Sequence, residues 1–187
     1  MSVSIRFAGS GGQGAVLSGI VLARAAVLYE QRHATQKDGK FAIQTQSYGP
    51  EVRGSVTKSD VKISDEQIYY PYVHVPDILV ALSEQAYRQY AAEVGPNTIV
   101  LIDEDLVQSQ PQAAFHRIPA QRIAKELGLE VVANIVMIGG LCGVTGVLSL
   151  EAVESAVLEI VPESSRALNR KALERGFEAG QKLAAAK

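Results

Sequence analysis

Val3-Ser4-Ile5-Arg6-Phe7-Ala8, then Gly9-Ser10-Gly11-Gly12-Gln13-Gly14, then the run Ala15 to Tyr29 read in order as strand, tight glycine turn and helix. In that arrangement glycines let the backbone approach an anionic group, while the first turn of the helix directs unpaired N–H groups toward it. The same arrangement also serves to fit a helix tightly against a sheet, so the turn alone leaves both readings open. Working outward, the spacing predicts a helix over 15–30 with Val16, Ile20, Ala23 and Val27 turned inward, joined by Leu17 and Leu28.

The next segment departs from a doubly wound pattern. Phe41 to Gln46 and Ser55 to Ile63 both read as strands, and Ser47 to Gly54 between them is too short for a crossover helix. An antiparallel hairpin around residues 41–63 follows, set in an otherwise parallel sheet. Further strands are expected at 78–82, 98–102 and 114–118. Helices are expected at 84–93, after Pro119, near 132–143, at 150–160 behind Ser149 as N-cap, and at 164–185 after Pro162. The fold class is therefore α/β, three layers with a mixed, mostly parallel sheet, built as a single domain over 1–187.

Composition narrows the function classes. The chain has 187 residues, 47% of them hydrophobic, and a net charge of −2, which supplies one core and no basic face for a phosphate backbone, so nucleic acid is not an expected partner. Val131 to Leu150 carries no formal charge, but its glycines and Asn134 favour a buried helix over a membrane span. The first residues show no secretion signal, which makes the cytoplasm the expected location. The one cysteine, Cys142, reads as a small core residue, and His33, His74 and His116 are scattered, so neither an iron–sulfur cluster nor another metal site is expected on this chain.

A dinucleotide-binding turn should be followed about 20 residues later by an acid for the ribose. Here the second strand ends in Gln44-Thr45-Gln46-Ser47, and the nearest carboxylates, Asp38 and Glu51, lie before the strand and beyond the next turn. Nicotinamide and flavin dinucleotides are thereby disfavoured. The connection Ser47-Tyr48-Gly49-Pro50-Glu51-Val52-Arg53-Gly54 is richer in functional groups than a hairpin needs. Glu51 and Arg53 form either a surface ion pair or a carboxylate and guanidinium offered to a partner. Asp103, Glu104 and Asp105 follow a strand end but read as a solvated turn. Tyr69, Tyr70 and Tyr72 read as packing or a subunit contact.

The two motifs together, Gly-x-Gly-Gly-Gln-Gly and Ser-Tyr-Gly-Pro-Glu-x-Arg-Gly, resemble the gamma subunit or gamma domain of the 2-oxoacid:ferredoxin oxidoreductases. Asn134 to Gly139 in the apolar run, and Asn169, Ala172 and Gly176 in the last helix, extend the resemblance over nearly the whole chain. Ser55 departs from it, standing where the family often has a second glycine. The resemblance implies one component of a complex that converts 2-oxoglutarate, or a related 2-oxoacid such as pyruvate, to its acyl-CoA. Ferredoxin would be the electron acceptor.

Alpha and beta partners would hold thiamine diphosphate, and beta or a ferredoxin-like delta subunit the iron–sulfur clusters. This chain would bind no cofactor tightly by itself and would carry no catalytic residue. It would help enclose the coenzyme A and thiamine centre through Gly9, Gly11, Gly12, Gln13, Gly14, Ser47, Tyr48, Gly49, Glu51 and Arg53, within an oligomer. Two alternatives stay open: a free-standing nucleotide-binding reductase, and a purely structural assembly subunit.

Overall fold

Ile5 and Phe7 alternate with Ser4, Arg6 and Ala8 along the first strand, and this period of two assigns each residue to one of two layers. The computed structural model describes residues 2–30, 40–47, 56–110 and 114–186. Six strands, β1 (Ser2–Ser10), β2 (Phe41–Ser47), β3 (Val56–Ser64), β4 (Ile78–Ala81), β5 (Ile99–Asp103) and β6 (Phe115–Ile118), form one sheet in the order β2-β3-β1-β4-β5-β6. β1, β4, β5 and β6 run parallel, and the expected hairpin is present as the antiparallel pair β2–β3. β3 also pairs antiparallel with β1 along its full length, from Ser2 opposite Ser64 to Ser10 opposite Val56.

Helices α1 (Ala15–Arg24), α3 (Ala120–Glu126), α4 (Ala133–Thr145), α5 (Leu150–Ile160) and α6 (Arg166–Ala185) build a core with Ile5, Phe7, Val61, Val80 and Leu101. On the opposite face α2 (Glu84–Tyr90) places Ala86, Tyr87 and Tyr90 over Ala8, Leu79, Val100 and Ile102. Two serines start helices as N-caps. Ser83 Oγ accepts from Ala86 N–H and Ser149 Oγ from Ala152 N–H, both at 3.2 Å. The charge-free stretch 131–150 is mostly α4, buried between sheet and α6, and among the described residues no helix is long and apolar enough to cross a membrane.

The inward face of α1 is the reverse of the expected one. Ala15, Ser18, Gly19, Val21 and Leu22 are buried, as are Ala25 and Ala26 in the π-helical turn Ala25–Tyr29 that continues it, while Ile20 and Leu28 are exposed at 36% and 43%. Val16, Leu17, Ala23 and Val27 are half-buried. Gly19 explains the choice: a Cβ there would collide with Ser59 Oγ of β3, so the helix sits on the sheet through its small residues. Closeness outweighs the size of the apolar side chains.

Polar groups cross the α2 layer. Arg6, fully buried, donates from Nε and one terminal nitrogen to the Asp60 carboxylate at 2.7 and 2.8 Å, to Val73 O at 2.6 Å, and to Glu93. Its carbon Cζ lies 5.3 Å from the centre of the Tyr90 ring. Burial opposes the charge, yet Asp60 and Glu93 outweigh it and raise the guanidinium above its ordinary pKa.

Cys142 is 1% exposed in α4, the core position expected of it. Burial pushes its thiol up to about 12. Alkylation at pH 8 is therefore expected to run at least about a thousandfold slower in the native protein than in the unfolded chain, read by mass spectrometry. Comparable rates in the two states would contradict the burial.

Candidate functional site

Gly9 to Gly14 turn the chain from β1 into α1, and Gln13 holds the turn shut. Its side-chain oxygen accepts from Ser10 N–H at 2.7 Å and its amide nitrogen donates to Leu82 O at 2.9 Å, which ties the ends of β1 and β4 together. Gln13 is thus a clasp within the protein. Gly12 and Gly14 have φ of 91° and 78°, the left-handed region that favours glycine. A Cβ on Gly14 would lie 2.5 Å from Asn134 Nδ2, so the turn rests against the start of α4, whereas a Cβ on Gly11 would meet nothing. α1 has no side-chain N-cap and no acid in its first turn, leaving its leading N–H groups without a side-chain acceptor.

Beside the turn lies a cavity of about 440 Å³ at the C-terminal ends of β1, β4 and β5, lined by Gly12, Gln13, Leu82, Asp103, Leu106 and Asn134, with Gln121, Glu130, Val131 and Ala133 on the α3–α4 side. This is the edge of an open α/β sheet where ligands bind.

Asp103 corrects the expected solvated turn. It is 2% exposed, and its carboxylate accepts from the backbone N–H groups of Asp105, Leu106 and Gln121 at 2.9–3.1 Å. Burial pushes its carboxyl above the ordinary carboxylate range, against the pull of those three donors. Glu104 and Asp105 do form the exposed turn, paired to Arg122 at 3.1 and 2.7 Å. Glu84 holds the neighbouring segment: its carboxylate accepts from Ser109 Oγ and from the N–H groups of Ser109 and Gln108. The Ser109 hydroxyl above all lowers it to about 2.

Asn134 is 4% exposed and stands in the cavity wall against Gly14. The sequence signal for it was a single amide in an otherwise apolar run. The signal for Asp103 was its place at a strand end.

Of the second motif, Ser47 ends β2, while Tyr48, Gly49, Pro50, Glu51, Val52, Arg53 and Gly54 lie outside the described residues. The anchors of that connection are well defined. Ser47 pairs with Lys58 and Val56 with Ser10, so both ends meet the sheet edge that carries the glycine turn. The strand next to β1 is β3, and β2 is one further out. Tyr69, Tyr70 and Tyr72 are 85%, 53% and 61% exposed, which excludes core packing for them. No group of three or more His, Cys, Asp or Glu able to hold a metal occurs among the described residues.

Residues 4–179 match the family model for pyruvate ferredoxin/flavodoxin oxidoreductases. The 2-oxoglutarate synthase subunit KorC of Methanocaldococcus jannaschii is 45% identical over 188 residues, covering 98% of this chain and 96% of that protein. The crystal structure of a keto/oxoacid ferredoxin oxidoreductase gamma subunit from Geobacter sulfurreducens superposes with a TM-score of 0.84 at 41% identity, covering 97% of this chain and 98% of the other. The 2-oxoglutarate:ferredoxin oxidoreductase of Magnetococcus marinus, solved with 2-oxoglutarate, coenzyme A and succinyl-CoA bound, shares the fold at 24% identity with a TM-score of 0.79, this chain covering 31% of that one. Matched from near its first strand into its last helix, the chain belongs to the pyruvate ferredoxin/flavodoxin oxidoreductase family.

Proposed function

We propose that the chain is the gamma subunit of a 2-oxoglutarate:ferredoxin oxidoreductase, a complex that oxidatively decarboxylates its 2-oxoacid to the acyl-CoA and delivers the electrons to ferredoxin. The observation that carries this reading is the near full-length match, at 45% identity, to a 2-oxoglutarate synthase subunit. The chemistry available on the chain agrees with a supporting role. One buried thiol cannot ligate an iron–sulfur cluster. In the proposed cytoplasmic complex, alpha, beta and delta partners hold the clusters and thiamine diphosphate, as the family resemblance implies. The exposed tyrosines 69, 70 and 72 are suited to a subunit contact, since tyrosine is enriched in such interfaces.

Coenzyme A is the substrate assigned to the site in this reading. The open backbone at Gly11 and Gly12 and the uncapped start of α1 favour its phosphates, and Arg53, on a connection anchored at the same edge, would add a guanidinium. Gly12 is a poor probe of this, because any side chain at φ 91° is strained; Gly11 is not among the positive-φ glycines and has open space above it.

In the complex assembled with its partner subunits, Gly11→Val and Arg53→Ala are each expected to raise the KM for coenzyme A about tenfold or more, the loss of one charge-assisted contact. The chain alone should show no 2-oxoacid oxidation, and the complex should prefer 2-oxoglutarate to pyruvate. Unchanged KM and kcat in both variants, with assembly intact, would leave the purely structural subunit as the correct reading.

A further inference from the structure

The two edges of the sheet are finished differently. β6 is four residues long and carries Arg117, two ordinary defences of an exposed edge. β2, at the other edge, runs for seven residues, Phe41-Ala42-Ile43-Gln44-Thr45-Gln46-Ser47, without a charge, a proline or a glycine. Among the described residues no strand pairs with its outer side, so its outward backbone N–H and C=O groups remain open to another strand.

The layer beside that edge is unfinished as well. Val16, Ile20 and Val27 recur at helical spacing along α1 and the π-helical turn after it, and both of these elements touch β2. Such a stripe ordinarily faces a core. Here Val16 and Val27 are half-buried yet packed against neither hydrophobic core, and Ile20 is exposed. On the strand itself Ile43 is half-buried outside both cores, and Phe41 is 45% exposed.

A partner that satisfies both features must offer an open strand edge and, one layer away, an apolar helix side at the same height. A second copy of this chain, turned about a two-fold axis, meets both conditions. With all seven residues paired antiparallel, Gln44 faces its own copy, Ile43 faces Thr45, Ala42 faces Gln46 and Phe41 faces Ser47. No like charges are opposed, and the β-branched residues Ile43 and Thr45 stand against each other, a favourable cross-strand combination.

We infer that β2 is a dimer edge, at which two copies of the chain join antiparallel about a two-fold axis at Gln44 to make one continuous sheet, with Val16, Ile20 and Val27 of each copy covering the joint. The coenzyme A reading is independent of this assignment, because the glycine turn lies at the C-terminal end of β1 and not along β2.

The test uses the full chain. Sedimentation at micromolar concentration is expected to give twice the 20.0 kDa of one copy. Ile20→Glu and Ile20→Lys should each weaken self-association at least about a hundredfold, because both copies then bring the same charge to one joint. An equal mixture of the two variants should recover the dimer, a result that separates loss of contact from loss of fold. Gln44→Cys checks the register, since directly opposed residues of an antiparallel pair lie within disulfide range. The chain's own Cys142 is buried. Mild oxidation should therefore link Gln44→Cys into a covalent dimer far faster than Leu129→Cys, which is exposed beside α3.

A monomeric parent overturns the inference. So does a dimer that Ile20→Glu leaves intact and that Gln44→Cys does not lock, since its contact lies on another surface. If the chain is monomeric and Ile20→Glu instead prevents association with co-expressed alpha and beta subunits, the edge belongs to a contact with a different protein; the inference is then overturned and the gamma-subunit reading stands.

Discussion

Arg6→Met is expected to destabilise the protein by about 3–5 kcal/mol, because it leaves the Asp60 carboxylate buried and without its bidentate partner. For a chain of this size the melting temperature should fall by roughly 6–20 °C. Two further losses add to the effect: Val73 O loses its donor, which frees the tyrosine-bearing segment 65–76, and Tyr90 loses the cation over its ring. Lys58, 3.7 Å from Asp60, compensates only in part because it remains partly in solvent. The informative comparison is Arg6→Met combined with Asp60→Leu, which removes both charges and should recover most of the loss. If the double variant melts no higher than the single one, the stranded carboxylate is not the cause.

Gly139→Val or Gly176→Val should have a comparable effect by a different route. A Cβ on Gly139 would strike Leu173 O, and one on Gly176 would strike Val136 O, so each helix uses its glycine to admit the backbone of the other. The obstacle is main chain on both sides, and no rotamer relieves it. A loss of about 3 kcal/mol or more is expected, at the upper end of overpacking effects. Denaturant unfolding of the full chain is the measurement. A midpoint within error of the parent would show that α4 and α6 can separate freely, which would contradict the packing described here.

Much of the fold was legible because it depends on local pattern. Ser149 as a cap, the run 98–102 and the short connection after Ser47 each signalled their element within a few residues. The face of α1 was not legible. Large apolar side chains lie on both sides of that helix, and the deciding fact, the nearness of Ser59 to Gly19, belongs to a strand 40 residues away. The insertion of β3 between β2 and β1 was hidden for the same reason, since ladder partners are set by the whole sheet.

At the site, the glycine turn announced itself through its residue types. Its neighbour Asp103 did not, since a run of three acids ordinarily marks solvent. Only the fold shows that the first of the three turns inward to cap the backbone of α3 while the other two face Arg122. Asn134 was visible as part of a family resemblance, but its place in the cavity wall is a property of three-dimensional placement.

The position of β1 has a consequence for how the protein is made. Of the six strands, the one synthesised first is central, and its two neighbours are residues 56–64 and 78–81. Until the second of these has been synthesised, the strand and its glycine turn have an incomplete ladder, and Gln13 has no Leu82 carbonyl to grip. The turn can therefore take its final shape only after residue 82 has emerged, which ties completion of the candidate site to the closing of the sheet centre and leaves nascent β1 in need of protection during translation.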